Sequence, residues 1–423
     1  EVPIMIFDDS PQETSVDVSG VRNKVLYIGP GEKGRFLEAL IEKVGNEELV
    51  RKIFRPSYGG NRNFTLAYTL GGNFISADDD MRPYGIVDRN KAKLNAREIS
   101  RGRYIDRKNL HLMERAEFDL YGRFTDVLGK KVRDVDYEQG ALLMDNLTDL
   151  LTNMTNGRLK VGTKNVLTLK RGKVHPDATI KHAQTFRTGS ADVDVIDYVD
   201  EFLEDPTLIS VNDMKKVYVI EDFKPVITNE NWRVDCGVSG YDNSEGLPPF
   251  FPTKLRFEDY IFRLWLQKED VASVHVDAVQ NHSRNPHGRP PLASDLLYED
   301  VAKILKRRIR KSITRINEVD LDMIVDGNFK IDDDEAKEIL EKGKWAYESS
   351  KSASRYREYY APFSQEVLVS FQEFDFNRFK EHIQDRIDEE IALISQTMLI
   401  WPQVLSEVKK IRKNGGRLVS SLN

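Results

Sequence analysis

A single cysteine, Cys236, is all the thiol chemistry that this 423-residue chain possesses. No intrachain disulfide can form and no cysteine-based metal cluster can be built, so packing must supply the stability. That usage fits a reducing cytoplasm, and a cytoplasmic placement is the expectation. An unbroken apolar run of the roughly eighteen residues that span a bilayer is also missing, so no transmembrane segment is expected. Nor is there a basic excess: Lys and Arg number 63 against 69 Asp and Glu, a formal net charge of −6. Such a balance leaves no electrostatic footprint for nucleic acid, which is set aside as a partner. No signal peptide is visible, and the chain opens on Glu1-Val2-Pro3 instead of Met, which reads as a processed or truncated start.

What is present describes an ordinary globular protein, with 40% hydrophobic and 31% charged residues. The length allows two domains, or one large domain with an extension. One local exception to the charge balance is the basic run from Lys303 to Lys311, with Ile304, Leu305 and Ile309 at near-helical spacing. A run of this kind is usually a solvated helix face; contact with an anionic membrane surface is the alternative, and a peripheral membrane location is carried with it.

Hydrophobic patterning organises the chain. Val2 to Phe7 is a short apolar run ending in Asp8-Asp9-Ser10, which predicts a buried strand terminating in carboxylates. Lys24 to Ile28 predicts a second strand, and Gly34 to Val44 an amphipathic helix with Phe36, Leu37, Leu40 and Ile41 on one face. Phe64 to Leu70 predicts a short helix stopped by Gly71-Gly72, and Asn73 to Ala77 a buried strand. Val217 to Ile220 reads as a later strand. The Pro-rich stretch Gly246 to Pro252 is a rigid loop, after which Arg256-Phe257-Glu258-Asp259-Tyr260 opens an apolar helix. The loop from Asn281 to Pro291 marks the expected division into a first domain, 1–290, and a helical extension, 291–423. Early strand–helix alternation argues for an α/β sheet covered by helices.

The chemistry concentrates after the strand 73–77. Asp78, Asp79 and Asp80 follow it directly, fifteen residues beyond Gly59-Gly60-Asn61-Arg62-Asn63. Open α/β sheets place ligands at strand ends. Three adjacent carboxylates repel one another unless a cation neutralises them, and a divalent metal bound together with substrate phosphates is the economical partner. A solvated turn is the plain alternative; the order strand, glycine–asparagine–arginine segment, helix, strand, triplet favours a site.

In that order the motifs Phe7-Asp8-Asp9-Ser10, Gly60-Asn61-Arg62-Asn63, Ala77-Asp78-Asp79-Asp80 and Phe257-Glu258-Asp259 resemble the family 2 inverting glycosyltransferases of the GT-A fold. The resemblance covers about the first 290 residues. It implies a Rossmann-type mixed sheet flanked by helices, followed here by a mainly helical C-terminal region. It implies a donor site with Asp8 or Asp9 at the nucleobase, Arg62 at the diphosphate or uracil and Asp78 at the ribose, with Asn63 and Asp79 also among the donor-binding residues. Asp80, with Asp78, would hold manganese or magnesium, and a late histidine would join them, His282 being chosen over His275 and His287. Asp259, with Glu258 beside it, would be the general base. A UDP-sugar is the favoured donor and a GDP-sugar the second; the acceptor is a hydroxyl on a glycan, lipid-linked glycan, protein or small molecule. The helical region could pair copies of the chain. Family members also carry a strand before the one ending at Asp8, which nothing ahead of Glu1 supplies.

Two other readings share the same residues. Nucleotidyltransfer also uses metal-bound carboxylates, with a glycine-rich phosphate loop and lysine, for which Gly29 to Gly34 is the nearest match. A catalytically inactive transferase fold serving as a scaffold is the other. Retention of both Asp80 and Asp259 speaks for an enzyme.

Overall fold

The computed structural model describes residues 2–79, 81–85, 98–99, 102–106, 120–135, 138–139, 176–189, 216–220, 226–227, 237–253, 258–259, 262, 266, 271–282, 301–302, 330–341 and 375–413. Expectations for 283–291, 303–311 and Asp80 itself lie outside these residues.

Local signals set the first 80 residues. Strands β1 (Ile4–Phe7) and β2 (Val25–Ile28) pair in parallel, Ile4 opposite Val25 through Phe7 opposite Ile28. Helix α1 (Pro30–Val44) starts at Pro30, four residues earlier than the apolar spacing implies. Proline's fixed φ suits the first helical turn, where no N–H is needed. Gly45 ends the helix at φ 80°, the left-handed cap conformation that glycine adopts without strain. Helix α2 (Glu47–Ile53) is capped by Asn46, whose side chain accepts from Leu49 N.

Helix α3 (Tyr58–Thr69) differs from expectation, because it takes in the glycine–asparagine–arginine segment that the sequence places ahead of it. Ser57 is its N-cap and accepts from Gly60 N at 3.0 Å. Glycine is a poor helix former, and tertiary contact overrides that propensity here. A Cβ at Gly59 would stand 1.8 Å from the Phe251 carbonyl oxygen, so only glycine lets the helix approach.

Strand β3 (Asn73–Ala77) follows as predicted, then β4 (Met81–Gly85), β5 (Glu98–Ile99) and β6 (Gly102–Asp106). After them come α4 (Leu120–Thr125), β7 (Glu138–Gln139), β8 (Ile180–Gly189) and β9 (Lys216–Ile220). The chain continues through β10 (Val226–Ile227), β11 (Val238–Asp242), β12 (Ala272–His282) and the long α5 (Phe376–Lys413). The principal sheet is mixed, in the order β3-β11-β8-β12-β10-β7, with β4 also paired to β12. Strands β5, β6 and β9 form a small antiparallel sheet. Strands β1 and β3 are half-buried and not fully buried as predicted; among the described residues each has a single strand partner.

Alternation along the strands sends side chains to two cores, as the pleat requires. Val238 and Ile75 face Phe124, Val127 and Leu128 on one side of the sheet. Tyr241 and Phe74 face the larger core on the other side, with Phe36, Phe54, Phe64 and Tyr68 of the first helices. Helix α5 joins that larger core through Phe379, Ile383, Ile387, Ile394, Trp401, Val404 and Val408. The Trp401 indole N–H donates to Leu247 O at 2.8 Å. By length and composition α5 could cross a membrane, yet its apolar stripe is the part that packs into this core. The architecture is therefore mixed α/β, a mixed sheet between helices with a C-terminal helix against it.

Candidate functional site

The end of β1 carries the first cluster. Asp8 Oδ2 accepts from Thr14 Oγ1 at 2.5 Å and Tyr27 Oη at 2.6 Å, and its Oδ1 accepts from Ser10 N at 2.9 Å. Partial burial opposes ionisation, but the donors from Thr14, Tyr27 and Ser10 outweigh it and hold the carboxyl well below the usual range. Asp8 is thus fully engaged within the chain. Asp9 instead pairs with Lys33 Nζ at 2.6 Å and leaves its side chain about a third exposed, 35%. The same ammonium donates to Asp8 O at 2.7 Å and Asn61 Oδ1 at 2.8 Å. Burial pulls the Lys33 pKa down while Asp9 and Asp8 oppose the fall.

One residue along α3, Arg62 organises the second cluster. Its Nη2 straddles both oxygens of Asp78, at 3.0 and 2.9 Å, and its Nη1 reaches Glu258 Oε1 at 3.2 Å. The guanidinium also lies over the Phe250 ring, 5.7 Å from its centroid, a cation–π contact. Arg62 and Glu258 are nearly buried, with side chains 13% and 10% exposed, whereas Asp78 remains 40% exposed. Burial and the neighbouring Asp259 push the Glu258 carboxyl up to about 8, against the pull of Arg62. Asp259 adjoins the cluster, and its buried Oδ1 has no hydrogen-bond partner among the described residues. Such an oxygen can accept a hydrogen bond from a hydroxyl.

After β3, Met81 N donates to Asp78 O at 3.1 Å. Asp79 is exposed there. Strand β12 ends at His282, whose backbone partner on β4 is Met81, the residue after Asp80. Among the described residues, no three His, Asp or Glu side chains stand close enough to hold a metal by themselves.

Of the residues singled out in the sequence, Arg62, Asp78, Glu258 and Asp259 meet in one cluster, and Asp9 stands beside it through Asn61. Asn63 does not meet a ligand surface. It is fully buried, and its amide is engaged by Ile53 and Phe250 backbone groups. Lys33 is the residue that sequence reasoning missed in this role. Its signal was its place one turn into α1, beyond the Gly29-Pro30-Gly31 turn after β2. Comparison with protein-family models, curated proteins and solved structures finds no match to the chain.

Proposed function

We propose that this chain is a metal-dependent glycosyltransferase of the GT-A type, moving a sugar from a nucleoside-diphosphate donor to a hydroxyl with inversion. The observation that carries the reading is the convergence on Arg62: one guanidinium holds Asp78, 16 residues away, and Glu258, 196 residues away. These are the motifs that the resemblance assigns to the donor and to the base.

In this reading Asp9 meets the nucleobase edge, since Asp8 is engaged by its own loop. Asp78 lies at the ribose, and Asp80, with Asp78 and His282, would hold manganese or magnesium. Such an ion, when bound, neutralises the charge that grows on the departing diphosphate. Asp259 Oδ1 accepts the proton of the acceptor hydroxyl as that oxygen attacks the anomeric carbon from the face opposite the leaving group. Arg62 keeps the two halves of the site at fixed separation. Nucleotidyltransfer is disfavoured, because all three hydrogens of the Lys33 ammonium are taken up inside the protein.

The test is release of UDP or GDP from a panel of UDP- and GDP-hexoses with manganese. The wild-type protein is expected to turn over at least one donor. Asp259→Asn is expected to lower turnover by about 10²- to 10⁴-fold, the usual contribution of a general base, with nucleotide affinity unchanged. Equal turnover in the variant would remove Asp259 from the chemistry, and no release from any donor would remove the reading.

A further inference from the structure

The chain leading into Glu258 and Asp259 is held from across the fold by three residues within the nine-residue span 55–63. Asn63 accepts from Phe250 N at 2.7 Å and donates to Phe250 O at 2.9 Å, so that one amide satisfies a whole backbone residue. Gly59 rests against the Phe251 carbonyl, at a distance that leaves no room for a Cβ. Arg55 Nε donates to Pro252 O at 2.7 Å. Residues 250, 251 and 252 are irregular and belong to no strand, so a sheet ladder does not satisfy these groups. Asn63 and Arg55 act as the missing strand neighbour.

The placement of this grip has a functional consequence. Arg62 lies inside the same nine residues, stacks on the Phe250 ring, and reaches Glu258 six residues beyond Pro252. The segment that supplies the guanidinium therefore also fixes where the acid pair enters. Glu390 of α5 stands behind Arg55, 3.7 Å from its Nη2, with only 4% of its side chain exposed. The long C-terminal helix is tied into the same grip.

We propose that Asn63 and Arg55 are positioning residues that set the Glu258–Asp259 pair against Arg62 and Asp78 by clasping the backbone of Phe250 to Pro252. The proposal rests on the reading of Asp259 as the base. A misplacement of about 1 Å at a reacting group can cost about 100-fold in rate without loss of binding. The clasp accordingly acts on turnover and not on donor affinity.

Three variants test it: Asn63→Asp, which keeps the shape and the acceptor but loses the amide donor, Arg55→Met, and Arg55→Lys as the conservative control. Each is followed by hydrogen exchange, by calorimetric UDP affinity, and by turnover and KM for nucleotide release. Expected are faster exchange confined to residues 247–262 and turnover lowered by about 10- to 100-fold, with KM and UDP affinity retained. Arg55→Lys should recover part of what Arg55→Met loses. Wild-type turnover in a folded variant, unchanged exchange over 247–262, or KM and turnover lost together would overturn the proposal. If Asn63→Asp fails to fold, the two Arg55 variants decide. If the wild-type protein releases no nucleotide, the glycosyltransfer reading fails separately, and exchange over 247–262 still judges the clasp.

Discussion

Two ionic clusters share α3 and follow opposite rules. At the end of β1, Lys33 gives its three hydrogens to Asp8 O, Asp9 and Asn61, and Asp8 takes donors from Ser10, Thr14 and Tyr27. One residue further along, Arg62 serves both Asp78 and Glu258, with Asp259 adjoining. Among the described residues the second cluster sets three carboxyl groups against one guanidinium, and part of it is buried. Like charges in low dielectric repel strongly unless something answers them. Within the first cluster Asp8 is satisfied by its own loop and reads as architecture, while Asp9 keeps part of its carboxylate exposed. In the second, Asp259 Oδ1 is buried with no hydrogen-bond partner among the described residues, and the donor-site proposal starts from that oxygen.

The largest expected effect falls on the second cluster. Arg62→Met removes the donors that part-exposed Asp78 and buried Glu258 share, and should cost about 2–4 kcal/mol in denaturant unfolding, as losing hydrogen bonds to charged and buried groups together does. Lys33→Met should cost less, about 1–3 kcal/mol, because Asp9 can turn to water once its partner is gone. Equal losses of stability in the two variants would break the comparison.

A subtler effect sharpens it through pH. The Glu258 carboxyl is pushed from its ordinary 4.5 up to about 8, so the folded protein holds a proton there that the unfolded chain has released. Its contribution is complete below the unfolded value and is lost as pH rises through the folded one. Glu258→Gln cannot ionise. Between about pH 6 and about pH 9 the wild-type melting temperature should therefore fall more than that of the variant. Parallel curves would show that Glu258 is ionised throughout and that the shortage of positive charge is not felt.

Much of the fold was legible where the signal is local. Strand β1, strand β2 and the stop at Gly71 follow from short apolar runs bounded by turn residues, and the structure has them where predicted. The start of α3 was not, because two glycines argue against helix until the Phe251 carbonyl is known to lie against Gly59. Strand β11 was missed for a related reason. Val-Ser-Gly-Tyr-Asp has no clean apolar alternation, yet it is buried on both faces, with Gly240 leaving room for Phe124 and Leu128. In the site, Arg62, Asp78 and the Glu258–Asp259 pair could be named from residue type and order. That Asn63 clasps Phe250, 187 residues away, could not, since an asparagine beside an arginine carries no sign of a distant backbone partner.

The central claim is that the second cluster is a donor site completed by a metal at the aspartate turn. Its most direct test is calorimetric titration of UDP and GDP, each with and without manganese, on this chain and on Asp80→Ala. Micromolar binding of one nucleotide that requires manganese and vanishes in Asp80→Ala is the predicted result. Failure of both nucleotides to bind a folded protein, or binding that ignores both manganese and Asp80, would contradict it.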